Sequence, residues 1–108
     1  MSVQVDYEGT SAQLALAGEL TIYTAAEIKA ALGEAMQRSS AIEVDLAGVT
    51  EIDTAGLQLM LIAKRNPDAE VRFVNHPEAV LRLVDLANLG GALGDPLFIS
   101  ALGSGSRP

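Results

Sequence analysis

The chain has 108 residues, 49% of them hydrophobic but only four aromatic, and 14 acidic against 7 basic side chains give a formal net charge of −7. That length holds one domain with a core built mainly from Ala, Leu, Val and Ile. The acidic balance argues against nucleic acid, whose phosphates need clustered Lys and Arg, and with no cysteine and His76 as the lone histidine neither disulfides nor a metal site nor any cofactor is expected.

From the amino end, Met1-Ser2-Val3-Gln4-Val5-Asp6 lacks the basic start and apolar stretch of a signal peptide. No window reaches the span of a membrane helix, so a cytoplasmic protein without direct membrane insertion is expected. Val3, Val5 and Tyr7 alternate with polar residues, and Ala12-Gln13-Leu14-Ala15-Leu16 makes a second run after the turn-like Glu8-Gly9-Thr10-Ser11, which predicts a β-hairpin. Thr24-Ala25-Ala26-Glu27 reads as a capping box, with Tyr23 and Ile28 placed as a hydrophobic staple. Ile28, Leu32, Ala35 and Met36 then give the apolar stripe of a first helix ending near Arg38.

Ile42, Val44 and Leu46 alternate with Glu43 and Asp45 at the period of a strand, the chain turns after Gly48, and a largely buried helix is predicted over about residues 54 to 64. Asn66-Pro67-Asp68 turns into a strand over Glu70-Val71-Arg72-Phe73-Val74. A third helix opens at Pro77, runs to about Asn88 and stops at Gly90-Gly91. Leu97-Phe98-Ile99 suits a short last strand, and residues 101–108 have a linker's composition, leaving a domain over about residues 1–100.

The densest information lies in Glu51-Ile52-Asp53-Thr54-Ala55-Gly56-Leu57, where a hydroxyl is offered as strand hands over to helix. At about 100° per residue, Thr54, Gln58, Leu61 and Arg65 share one stripe, while Leu59, Ile62 and Ala63 point the opposite way. A stripe mixing hydroxyl, amide and leucine, with Leu57 beside it, suits docking to another protein. Two readings stand for Asp53 and Thr54: either side chain is a preferred helix cap, or Thr54 is a functional hydroxyl. Leu57 and Leu61 are equally core residues if another element covers that edge, and Gly56 is also explained by crowding alone.

Asp53-Thr54-Ala55-Gly56-Leu57 resembles the Asp-Ser-x-Gly-Leu signature of the STAS domain family, the anti-sigma factor antagonists and their relatives. Leu16-Ala17-Gly18-Glu19-Leu20 is similar to the family's Gly-Glu-Leu-Asp segment, with Thr21 standing where an Asp is usual. Phe73-Val74 followed by a helix fits a later strand, so the resemblance runs from about Val3 to Ser100. It implies an α/β fold, a STAS-like mixed β-sheet of about four to five strands with three to four helices packed mainly on one face. It also implies that Thr54 is a phosphoacceptor, with Asp53, Ala55, Gly56, Leu57, Gln58, Leu61 and Thr21 as the partner-binding surface. The implied partners are an anti-sigma factor or serine/threonine kinase, with a phosphatase to reset it. The alternative is a constitutive adaptor subunit of a lipid-transport ABC system or of a chemotaxis or sensory complex.

Other constellations carry less. Gly90, Gly91 and Gly94 follow a helix, not a strand, and so suit a C-cap rather than a phosphate cradle. His76 before Pro77 reads as a cap or surface residue. Asp45 and Asp53 lack a third ligand, so an enzyme is not expected. The sequence leaves the oligomeric state open between monomer and weak dimer.

Overall fold

The computed structural model describes residues 1–86. The opening hairpin forms as its alternation predicts: β1 (Ser2–Glu8) pairs antiparallel with β2 (Ser11–Leu20), and Gly9 at φ 62° supplies the left-handed residue of the turn. Helix α1 (Ala25–Arg38) leads to β3 (Ala41–Ile52), parallel to β2; α2 (Thr54–Arg65) leads to β4 (Glu70–Val74), parallel to β3; α3 (Glu78–Leu86) follows. The sheet order is β1-β2-β3-β4, and the two parallel pairs are joined by the helical crossovers that such pairing requires. The architecture is thus the expected mixed α/β sheet, with four strands and three helices among the described residues. The strand expected at Leu97-Phe98-Ile99, the stop at Gly90-Gly91 and the 101–108 tail lie outside them.

One face of the sheet carries the core. Leu14 and Leu16 of β2, Ile42, Val44 and Leu46 of β3, and Val71 and Phe73 of β4 meet Ile28 and Leu32 of α1, Leu57, Met60 and Ala63 of α2, and Val80 and Val84 of α3 in one cluster. Each such large side chain withdrawn from water stabilises the fold by about 1.5–3 kcal/mol before entropy is counted. Gln4, Asp6, Gln13 and Arg72, alternating with core residues, are exposed on the opposite face. All three helices therefore pack on a single side.

The central strand corrects the sequence expectation. The chain does not turn after Gly48; β3 runs through it to Ile52, because β2 likewise continues to Leu20 and offers it a partner. The alternation is lost locally because the pairing is irregular, with shifts between Ala15 and Ala17 and between Gly18 and Glu19. Gly48 is required by that close approach, since a Cβ there would lie 2.8 Å from the Ala17 Cβ and 2.9 Å from the Leu16 carbonyl oxygen. Helix α1 is corrected too. Thr24 precedes it but makes no side-chain cap, and Tyr23 is 93% exposed, so neither capping box nor staple forms. The Thr24 hydroxyl is used instead within the loop that precedes the helix.

Candidate functional site

Strands β2 and β3 end side by side at Leu20 and Ile52, which brings the loop from Thr21 to Thr24 against the turn into α2 at the carboxyl edge of the parallel strands. Asp53 joins the two segments. Its Oδ1 accepts from the Gly56 N–H at 3.1 Å, its Oδ2 accepts from the Ile22 N–H at 3.1 Å, and its own N–H donates to the Leu20 carbonyl at 3.3 Å. The hydrogen bond from Gly56, and next that from Ile22, hold the Asp53 carboxyl below its ordinary 3.8.

The choice between two possible caps is therefore decided in favour of Asp53. Thr54 is the first residue of α2, exposed, with its hydroxyl not engaged in the cap. The adjoining loop is held by threonines. The Thr24 hydroxyl donates to the Glu19 carbonyl at 2.7 Å and accepts from the Thr21 N–H at 3.0 Å; the Thr21 hydroxyl accepts from the Tyr23 N–H at 3.3 Å. The Thr21 carbonyl takes the N–H groups of Thr24 and Ala25 at 3.0 and 2.8 Å. Thr21 is partly buried by this arrangement, whereas Ile22 and Tyr23 are turned outward, 66% and 93% exposed.

Along α2 the exposed surface is narrower than expected. Thr54, Gln58 and Arg65 are exposed, Ala55 is half-buried, and Leu61 is partly buried against the core. Gly56 and Leu57 are not on the surface. Leu57, at 3% exposure, faces the sheet, and a Cβ on Gly56 would meet the Leu20 carbonyl oxygen and, at 2.8 Å, the Leu20 Cγ. Ile62 is corrected in the other direction: it is 59% exposed. The expectation that it points away from the stripe fails on helix geometry: four residues beyond Gln58, Ile62 lies only about 40° from it, while the buried face of α2 is centred on Leu57, Met60 and Ala63, where the sheet lies.

Two acidic residues border the turn. Glu19 and Glu51 are register partners across β2 and β3, and a hydrogen bond with Glu19, followed by that residue's charge, raises the Glu51 carboxyl above its ordinary 4.5. Like charges placed opposite one another are unfavourable. Because the folded state holds this proton more tightly than the unfolded one, the contribution to stability is present below 4.5 and is lost as pH rises through the raised value. Glu51→Gln is accordingly expected to raise the thermal midpoint at pH 7 and to leave it unchanged at pH 4. An equal shift at both pH values in parallel melts would exclude the repulsion.

Asp45 and Asp53 do not form a pair. The seven β3 residues 46–52 lie between them, a span of roughly 25 Å at strand rise, and the Asp45 carboxylate accepts from the Ala47 N–H at 2.9 Å and the Asn75 amide at 3.1 Å. Among the described residues no group of three or more His, Cys, Asp or Glu is placed to hold a metal. None of their helices is long and apolar enough to cross a membrane.

The family model described as the MlaB, STAS domain matches residues 3–99. The chain belongs to the STAS family. This STAS domain is similar in structure to an anti-sigma factor antagonist from Mycobacterium paratuberculosis, at 21% identity over 94% of this chain and 90% of that one, with a TM-score of 0.75. It is likewise similar to a putative anti-sigma factor antagonist from Thermotoga maritima, at 21% identity, 93% and 90% coverage and a TM-score of 0.73. The anti-sigma factor antagonist SpoIIAA in its unphosphorylated form gives 19% identity, 94% and 93% coverage and a TM-score of 0.70. None of the curated proteins matches the sequence. At these identities the likeness is one of fold.

Within the STAS frame, the residues that sequence reasoning missed are Ile22, Tyr23, Ile62 and the Glu19–Glu51 pair. Ile22 and Tyr23 carried a signal, two bulky apolar residues in a short segment between strand and helix. The acidic pair carried none, because register is a long-range property.

Proposed function

We propose that this STAS domain is a non-enzymatic regulatory module of the cytoplasm. In this reading it binds an anti-sigma factor or a related serine/threonine kinase through the α2 edge beginning at Thr54, and phosphorylation of Thr54 releases it. The observation that carries the reading is the division of labour at the turn: Asp53 makes the cap, so the Thr54 hydroxyl is left exposed for chemistry. Gln58, Ala55, the exposed part of Leu61 and the Thr21 loop continue the surface, while Asp53 holds its two halves together.

A phosphoryl group adds about −1.5 to −2 charges at neutral pH. The amino end of α2 favours an anion by about 0.3–1 kcal/mol, but Asp53, Glu51 and Glu19 border the same turn and oppose it. A partner surface matched to a neutral hydroxyl must also desolvate the new charge, and binding weakens. A phosphatase then restores the binding form.

A second reading, a constitutive adaptor docking through the same edge, is favoured by Thr21. This residue stands where the resembled segment carries Asp, and its hydroxyl serves the loop rather than offering a carboxylate. The test is incubation with the cognate kinase and ATP, followed by binding measurements. Thr54→Ala is expected to take no phosphate and to keep partner affinity, and Thr54→Glu to lose at least about tenfold in affinity. If the wild type takes no phosphate and the two variants bind alike, the adaptor reading replaces the switch.

A further inference from the structure

A groove of about 220 Å³ lies between α1 and α2, lined by Leu32, Met36, Leu59 and Ala63, with Gly33 and the exposed Ile62 beside them. The Asn66 amide donates to the Met36 sulfur at 3.0 Å, tying the last turn of α1 to the cap of α2 at the far end. Gly33 sits in the interior of α1, where glycine is unfavourable for a helix, and a Cβ there would meet nothing within 4 Å. The fold itself does not require glycine at this position. What its absent side chain provides is room in the groove.

Two further observations indicate what the groove accepts. Lys29 lines it, which in a chain of net charge −7 places a cation beside an apolar slot, and the exposed Arg65 follows Ile62 by three residues along α2, outside the lining itself. The acidic neighbour Glu34 is ion-paired with Arg38 at 3.7 Å. The groove is also continuous with the Thr54 edge, since Thr54, Gln58 and Ile62 are exposed at successive turns of α2.

We propose that this groove receives an amphipathic helix of the partner protein. The helix sets apolar side chains at three- and four-residue spacing over Gly33 and against Ile62, and carries Glu or Asp along the flank that meets Lys29 and Arg65. The proposal rests on the reading of the Thr54 edge as a docking surface and extends it to the partner's chemistry.

The probe is a synthetic helical peptide with leucines at that spacing and glutamates along one flank, together with a twin carrying lysines in their place. Each is titrated into the ¹⁵N-labelled full chain at low salt. The glutamate peptide is expected to shift the Gly33, Ile62 and Ala63 amides and to bind about tenfold more tightly than its twin. Gly33→Ala is expected to raise the thermal midpoint by a few degrees, which shows an intact fold, while weakening peptide binding severalfold; Gly33→Leu is expected to abolish it.

Absence of shifts at Gly33 and Ile62, equal affinity of the two peptides, or unchanged binding by Gly33→Ala would overturn the proposal. Shifts of the same amides on concentrating the protein alone would overturn it in favour of a second copy as occupant. Failure of the switch is read separately: a protein that takes no phosphate at Thr54 but binds the glutamate peptide loses the switch and keeps the groove.

Discussion

Replacing Gly56 by alanine is expected to cost about 2–3 kcal/mol of folding free energy, near the top of what overpacking usually costs. The added Cβ would run into the Leu20 carbonyl oxygen, and it would stand 2.8 Å from the Leu20 Cγ and 3.0 Å from the Ile52 Cγ1. A backbone oxygen at the end of a paired strand cannot swing aside as a flexible side chain can. Relief requires α2 to lift from the sheet, which lengthens the hydrogen bond from the Gly56 N–H to Asp53 and withdraws Leu57 from the core. The measurement is the denaturant midpoint in urea, with Gly33→Ala as the internal contrast. Both substitutions add one methyl group to a helical glycine, yet one is expected to destabilise and the other to stabilise. Unfolding of Gly56→Ala at the wild-type midpoint would show that α2 and β2 are not in close contact at this turn.

Asp53 carries the second large effect, and two substitutions separate its two roles. Asp53→Ala removes the cap and the tie to Ile22 together and is expected to cost about 1–2 kcal/mol, the upper part of the range for losing a side-chain cap because a second hydrogen bond goes with it. Asp53→Asn keeps an oxygen for the Gly56 N–H but replaces the second acceptor with an NH₂ group that cannot receive the Ile22 N–H. Its cost is expected to stay below about 1 kcal/mol, because Ile22 is exposed and water can take the vacated bond. Amide hydrogen exchange distinguishes the two: the Ile22 amide is expected to exchange faster in both variants and the Gly56 amide only in Asp53→Ala.

The pH dependence follows from the sign of the same shift. The Asp53 carboxyl is lowered below 3.8 in the folded state by its hydrogen bonds from Gly56 and Ile22. Its contribution is therefore fully present above 3.8 and is lost as pH falls through the lowered value. This is opposite to Glu51, whose raised value makes the folded state more stable in acid. At neutral pH the turn thus gains from one carboxylate and loses from another a few residues away. That is the electrostatic setting into which a Thr54 phosphate would be introduced.

How much of this was legible beforehand differs from element to element. The hairpin, the α1 stripe at Ile28, Leu32 and Ala35, and the β4 strand carried their own periodicity, and each formed where that periodicity pointed. The end of β3 did not, because residues 47 to 52 alternate poorly and become a strand only when β2 supplies a bulged partner. Asp53 and Thr54 are both good capping residues, so local chemistry could not rank them. The structure ranks them by the Gly56 N–H, which donates to Asp53, and adds a contact no local pattern shows, the Ile22 N–H from 31 residues earlier on the other carboxylate oxygen.

Local pattern by itself determined that strands alternate with helices after an opening hairpin and that a hydroxyl-bearing residue stands where the central strand hands over to a helix. These are matters of periodicity and turn chemistry, each readable within a few residues. Only the tertiary structure decided that Asp53 caps while Thr54 is exposed, that Leu57 is core, and that Glu19 opposes Glu51. Each of these depends on which distant segment lies alongside, and that is set by strand register and helix packing rather than by any residue's neighbours in sequence.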